Sequence, residues 1–207
     1  MVKVLIIIVL IVVILIVVFN HLIQQSKEPR GFIGSFMMKL WNRVYISLVK
    51  WTIVDLNNIN DDMKILDVGV GNGQSTKLLS EQFPNSEIYG IDISDKAIED
   101  AQKMNSRVIY QVKNVMKTGY RENYFDFIFA FQTHFHWDDL EDSLIELKRI
   151  LSHGGKIIIS CESSKVKYYL PNLYDNEKFK DYLSRLGLEL IEVRQNTNWK
   201  SYEIIKI

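Results

Sequence analysis

Residues 65–79, ILDVGVGNGQSTKLL, restrict the fold of this chain more than any other stretch. Lys64 to Val68 is a short apolar run carrying one acid, Asp67, and reads as a buried strand. Gly69, Gly71 and Gly73 follow at alternate positions, and Gln74 to Phe83 then takes a helical pattern. Glycines let the backbone take positive φ and let a ligand come close to the main chain. The helix start beyond them offers unpaired N–H groups and the positive end of the peptide dipoles. Strand, glycine turn and helix start together predict a site of nucleotide-cofactor type.

The rest of the chain after residue 60 repeats the alternation. Ile88 to Ile91 is a second strand ending in Asp92, and Ser94 caps a helix that runs to about Met104. Arg107 to Val112 is a third strand, and Val115 to Asn123 is irregular. Tyr124 to Phe131 is apolar except for Asp126 and predicts a central strand, with Asp126 bonding locally at its entry. A helix starts at Asp138 or Asp139 and ends at Leu151; His153, Gly154 and Gly155 turn into a strand over Lys156 to Cys161. Asp175 to Leu186 is a helix ended by Gly187. Leu188 to Arg194 and Trp199 to Ile205 are strands joined by QNTN, too short a link for a parallel crossover. The expected class is α/β: a Rossmann-like, doubly wound, seven-stranded and mostly parallel sheet with an antiparallel C-terminal strand.

The N-terminus has a different character. Val4 to Phe19 is an unbroken run of Val, Leu, Ile and one Phe. With its flanks it reaches about 20 residues, roughly 30 Å as a helix, which matches the bilayer core. Residues 1–23 are therefore expected to form a transmembrane helix. A cleaved signal peptide is the alternative, but NHLIQQSKEPR contains no small-x-small cleavage site. Lys3 precedes the run, whereas Lys27, Arg30, Lys39 and Arg43 follow it, a bias that places the C-terminal side in the cytoplasm. Residues 24–31 read as a linker, 32–57 as an amphipathic helix and 60–207 as the α/β domain. The amphipathic helix packs on the domain, covers the site as a lid, or lies on the membrane surface.

Charge and cysteine usage narrow the function. Lys+Arg and Asp+Glu both number 25, so no basic excess points to nucleic acid. The one cysteine, Cys161, excludes an internal disulfide framework and reads as a buried strand residue. His134 and His136 have strand-neighbour spacing without a further ligand set nearby, so no metal is expected.

Asp92 carries the next step. In a doubly wound sheet the carboxyl ends of neighbouring strands face one crevice. An acid at the end of the second strand can accept both hydroxyls of a ribose there. A nicotinamide-dependent oxidoreductase would share that acid, but its glycine spacing differs, and here position 74 is Gln74.

Beyond these arguments, residues 30–207 resemble the class I S-adenosylmethionine-dependent methyltransferases, in particular the small-molecule type that includes the ubiquinone/menaquinone group. ILDVGVGNG is similar to the first motif of that family and YGIDIS to its second. YFDFIFAFQTHFHWDDL resembles its fourth-strand motif, and LKRILSHGGKIIIS its helix, Gly-Gly and apolar-strand segment. PRGFIGSFMMKLWNRVYISLVKW is similar to the N-terminal helix of a bacterial subset. The resemblance implies S-adenosylmethionine as cofactor. Gly69, Gly71 and Gly73 would approach its methionine part, with Asp67 near the amino group. Asp92 and Ile93 would lie at the ribose, and Asn114 and Val115 beside the adenine, where the family usually has an acid in place of Asn114. Gln132 and Thr133 would face cofactor or substrate. His134, His136, Glu162 and Tyr45 are the candidate proton acceptors if the methyl acceptor carries a proton. No Asn-Pro-Pro-aromatic motif is present. The expected activity is methyl transfer to a small, lipophilic acceptor beside the membrane. The alternatives are the oxidoreductase and a non-catalytic scaffold that keeps the fold.

Overall fold

The computed structural model describes residues 10–18, 45–54, 56 and 62–207. The strands are β1 (Lys64–Val68), β2 (Glu87–Asp92), β3 (Ile109–Val112), β4 (Phe125–Phe131), β5 (Leu151–Glu162), β6 (Leu188–Gln195) and β7 (Trp199–Lys206). They form one sheet in the order β3-β2-β1-β4-β5-β7-β6. β1 is central because Ile65, Leu66 and Val68 are apolar on both faces, and all three are buried. It pairs in parallel with β2 on one side and β4 on the other. β7 inserts between β5 and β6 and is antiparallel to both; the short QNTN link requires this of β6 and β7. The seven-stranded α/β expectation therefore holds.

Among the described residues after β1, the helices are α1 (Gln74–Gln82), α2 (Asp95–Met104), α3 (Leu140–Ile150), α4 (Ser163–Tyr169) and α5 (Asn176–Arg185). Three begin on side-chain caps: Ser94, expected as a cap, and Asp139 and Asp175, which stand at expected helix starts. Ser94 accepts from Ala97 N at 3.3 Å, Asp139 from Asp142 N at 2.9 Å and Asp175 from Lys178 N at 3.1 Å. Each such cap contributes about 1 kcal/mol. α3 turns Leu144, Leu147 and Ile150 onto the sheet, where they meet Leu66, Val68 and Ile128 in one buried cluster. Each fully buried apolar side chain in it contributes roughly 1.5–3 kcal/mol.

Three details depart from the sequence reading. β5 starts at Leu151, not Lys156, because the His153–Gly155 turn is a kink inside the strand: Leu151 pairs with Phe125 and Lys156 with Phe127. Gly154 takes φ +79° there. Asp126 does not bond locally. Its Oδ2 accepts from Lys64 N at 2.9 Å and its Oδ1 from Ser152 Oγ at 3.0 Å, so it joins β4 to the starts of both neighbours. Residues 163–173, left unassigned from sequence, form α4 and a 3-10 turn at Pro171–Leu173. Only Ser163 and Val166 of α4 are buried, which leaves no apolar stripe to read.

The chain divides into two units, Met1–Tyr45 and Ile46–Ile207. In the first, residues 10–18 are helical with exposed side chains. Among the described residues no helix is long and apolar enough to cross a membrane. Most of the expected anchor, the linker and most of the amphipathic stretch lie outside the described residues. In the second unit the described end of that stretch, to residue 53, is helical and buries Leu48, Val49 and Ile53. The Trp51 ring lies 5.7 Å from that of Trp199, and Arg194 Nη2 donates to the Thr52 carbonyl at 2.6 Å.

Candidate cofactor site

The glycine turn is folded onto the end of β2. The N–H groups of Gly69 and Val70 both donate to the Ile91 carbonyl, at 2.7 and 3.1 Å. Gly71 N donates to Asp92 Oδ2 at 3.0 Å, and Ser94 N to Asp92 Oδ1 at 2.9 Å. Asp92 thus already organises the turn through one oxygen and the start of α2 through the other. Gly69 has φ +77°, and the Thr133 side chain occupies the space a Cβ on it would need. Gly71 has φ +52° with nothing within 4 Å of such a Cβ. Gly73 differs from the other two. At φ +83° it precedes α1, and a Cβ on it would stand 2.8 Å from Ala101 Cα, so its bareness serves the contact with α2.

Asp67 is fully buried beneath the turn. Its Oδ2 accepts from Ser75 Oγ at 2.6 Å and from Thr76 Oγ1 at 2.7 Å. Its Oδ1 has no hydrogen-bond partner among the described residues. Burial pushes the Asp67 carboxyl up to about 6, against the two hydroxyl bonds that lower it, and the charge of Asp92 adds to the rise.

A cavity of about 220 Å³ opens over the carboxyl ends of the central strands. Val68, Gly69 and Ile91 form its base; Asp92 and Ile93 stand on one side, with Lys113, Asn114 and Val115 beyond them. Thr133, His136, Trp137 and Asp138 close the side that follows β4. Asn114 Oδ1 accepts from Met116 N at 2.8 Å and so holds the 3-10 turn at Val115–Lys117. The amide at that position builds the wall as well as facing the cavity.

Gln132 is not on the wall. It takes φ +60°, its N–H donates to the Ser160 carbonyl at 2.9 Å, and its Oε1 accepts from Glu162 N at 3.1 Å. It ties β4 to β5 and presents Thr133 to Gly69. Of the candidate proton acceptors in the second unit, His136 lines the cavity. Its ring packs edge-on against Phe135 at 4.6 Å and Tyr169 at 5.1 Å. His134 is buried with Nδ1 unpartnered among the described residues, and burial first, then His136, pushes it down to about 3. Glu162 pairs with Lys165 at 2.7 Å. Tyr45 ends the first of the two units, Met1–Tyr45. Sequence reasoning missed Lys113, Trp137 and Asp138 as wall residues. Lys113 adjoins Asn114 and Trp137 adjoins His136, which is the signal that was available; Asp138 follows one position further on. Among the described residues no group of three or more His, Cys, Asp or Glu could hold a metal.

The arrangement suits a ligand with a cationic group and paired hydroxyls. A buried carboxylate oxygen lacks a donor, the glycine turn has open space, and an acid stands at the end of the next strand. A methyltransferase-domain model matches residues 66–159, from β1 through most of β5. Phosphoethanolamine N-methyltransferase 3 of Arabidopsis thaliana is 29% identical over 147 residues, which are 68% of this chain and 28% of that protein. Sterol 24-C-methyltransferase erg6 of Aspergillus fumigatus is 27% identical over 138 residues, 64% of this chain and 35% of that protein. This chain spans about a third of the length of these curated relatives. In fold it is similar to phosphoethanolamine N-methyltransferase 2 of Haemonchus contortus, solved in complex with S-adenosyl-L-methionine, with TM-score 0.62 and 18% identity over 80% of this chain and 52% of that one. The cavity is formed by the same turn and strand ends that open the matched segment, so residues 66–159 carry a methyltransferase domain, and S-adenosylmethionine is the cofactor that its site is built for.

Proposed function

We propose that the protein transfers the methyl group of S-adenosylmethionine to a small, lipophilic acceptor at the cytoplasmic face of a membrane. The observation that carries methyl transfer is the joined geometry of Gly69, Asp92 and Thr133 around one cavity. Asp92 would hold the ribose hydroxyls once its bond to Gly71 N is shared or released. Asn114, Val115 and Ile93 would border the adenine, and Asp67 would face the amino group. The bound cofactor supplies an electrophilic methyl on a sulfonium, so alignment of the acceptor contributes most of the rate. His136 and Asp138, on the side that follows β4, are able to take a proton if the nucleophile carries one.

The membrane part rests on the Val4–Phe19 run and the lysines and arginines that follow it. The lipophilic acceptor follows from that location, which would set the cavity beside lipid. A phosphoethanolamine and a sterol enzyme among the relatives support small acceptors of either character.

Calorimetric titration of the folded protein with S-adenosylmethionine should give one site per chain, and Asp92→Ala should weaken it by tenfold or more. Folded protein that takes up no cofactor overturns the reading. Carbonate-washed membranes that retain the full chain, with the C-terminus open to cytoplasmic protease, would support the location; release by carbonate removes it.

A further inference from the structure

The two sides of the cavity offer a charged group different things. With Asp92, Ile93, Asn114 and Val115 bordering ribose and adenine, the side that follows β4 is left for the methyl acceptor: Thr133, His136, Trp137 and Asp138. Thr133 is already committed, its methyl against Gly69 and its hydroxyl to the Val68 carbonyl. An imidazole, an indole and a carboxylate remain.

No described side chain on this wall offers a lysine or arginine charge to an anion. Lys113 is on the wall, but its ammonium is spent elsewhere. Its Nζ donates to the Thr118 carbonyl at 2.5 Å and lies 4.7 Å from the centre of the Tyr120 ring, and neither partner lines the cavity. On α4, Lys165 pairs with Glu162 at 2.7 Å, and neither Lys165 nor Lys167 is on the wall. A helix start can also receive an anion. α3 starts just after Asp138, but Asp139 Oδ1 already accepts from Asp142 N at 2.9 Å, and Glu141 and Asp142 fill the first turn. An anionic acceptor would therefore bring its charge beside Asp138 with no described cation to meet it, and like charges in contact repel.

Asp138 itself is exposed on the wall and has no hydrogen-bond or ion-pair partner among the described residues. A carboxylate with an indole next to it suits an ammonium group. The carboxylate accepts charge-assisted hydrogen bonds, and a cation is drawn to the face of an aromatic ring.

We infer that the methyl acceptor carries an ammonium group, which Asp138 holds beside Trp137, and that acceptors whose polar group is a phosphate, sulfate or carboxylate are rejected. The inference rests on the reading of methyl transfer to a lipophilic acceptor and narrows it to a lipophilic amine. Asp138 is the residue that sets this choice. Its place on the wall opposite the cofactor contacts means that it acts on the acceptor and not on cofactor affinity.

The test is calorimetric titration of the full chain loaded with S-adenosylhomocysteine, at about pH 8, where an imidazole is uncharged. The probes share an octyl chain and differ in polar group: octyltrimethylammonium, octanol and octyl sulfate. Octyltrimethylammonium should bind roughly tenfold or more tightly than octanol, and octyl sulfate more weakly than either. Asp138→Asn should reduce the preference for the cation to about twofold or less, and Asp138→Glu should restore most of it. Affinity for S-adenosylhomocysteine should stay within about twofold in both variants. Label transferred from S-adenosylmethionine into a membrane extract should appear in a product that a cation exchanger retains at neutral pH. No preference for the cation, or a preference that survives in Asp138→Asn, overturns this inference and leaves the cofactor reading intact; so does a labelled product that passes the exchanger. Folded protein that fails to bind S-adenosylhomocysteine overturns the cofactor reading itself.

Discussion

The methyl group of Thr133 fills the space that a side chain on Gly69 would need, while Thr133 Oγ1 donates to the Val68 carbonyl at 3.3 Å. The turn after β1 and the residue after β4 are thus fitted to each other before any ligand is considered. Gly69→Ala must bear a left-handed backbone, about 1–2 kcal/mol, and displace Thr133 as well. Gly71→Ala bears only the backbone cost, since nothing lies within 4 Å. Denaturant unfolding should rank Gly69→Ala well below Gly71→Ala in stability, and Gly69→Ala combined with Thr133→Ser should recover part of the loss. Equal losses at both glycines would mean that the Thr133 contact decides nothing.

Gln132 sits at φ +60° with its side chain bonded to Glu162 N. The two features can be separated. Gln132→Ala keeps the unfavourable backbone and loses the bond; Gln132→Gly loses the bond but accepts the backbone without strain. Both should lose about 1 kcal/mol from the unsatisfied Glu162 N–H, and the alanine variant should be less stable than the glycine variant by about a further 1 kcal/mol. Since Thr133 follows directly, cofactor affinity should fall in both. Thermal melts and cofactor titrations of the pair check the order; an alanine variant as stable as the glycine one contradicts it.

His134 supplies a pH dependence that belongs to folding and not to catalysis. Burial keeps it neutral in the native state, down to about 3, whereas an unfolded histidine takes a proton near its ordinary value of 6.5. Between those values the unfolded chain binds the extra proton, so stability is full above 6.5 and declines as pH falls. At pH 5 the decline amounts to about 2 kcal/mol. His134→Phe removes the unpartnered Nδ1 and should unfold with a shallower pH slope between 5 and 6.5 than the wild type. A slope unchanged in the variant would assign the dependence to another group.

Much of this arrangement was legible from sequence because its causes are local. Glycine spacing, Asp92 after an apolar strand and the Ser94, Asp139 and Asp175 caps all act over a few residues, and the sheet follows from their alternation. What was not legible depends on contacts between distant segments. Gly73 resembles its neighbours in sequence, yet Ala101, 28 positions on, explains why it carries no side chain. Gln132 looked like a wall residue and is a tie to Glu162, because the left-handed turn at its backbone swings the side chain to β5. His134 and His136 could not be told apart in the string THFHW; a 3-10 turn buries one and sets the other on the cavity.

Tyr169 reaches the site only through its neighbours. Its ring stacks on Phe135 at 5.3 Å and 6° and meets the edge of His136 at 5.1 Å. It is not on the cavity wall, whereas His136 is. Tyr168 beside it is 76% exposed. Aromatic contacts of this kind contribute about 0.5–1.5 kcal/mol each, enough to fix the His136 ring. Tyr169→Ala should therefore lower methyl transfer several-fold through looser placement of His136 at the acceptor end. Affinity for S-adenosylhomocysteine should stay within about twofold, because the glycine turn, Asp92 and Asn114 are untouched. Tyr168→Ala should do much less to transfer. The measurements are transfer of label from the cofactor into a membrane extract and calorimetric titration of the same preparations. If Tyr169→Ala weakens cofactor binding as much as it lowers transfer, then the Phe135–His136–Tyr169 cluster supports the cofactor end of the cavity, and the acceptor must enter by another side.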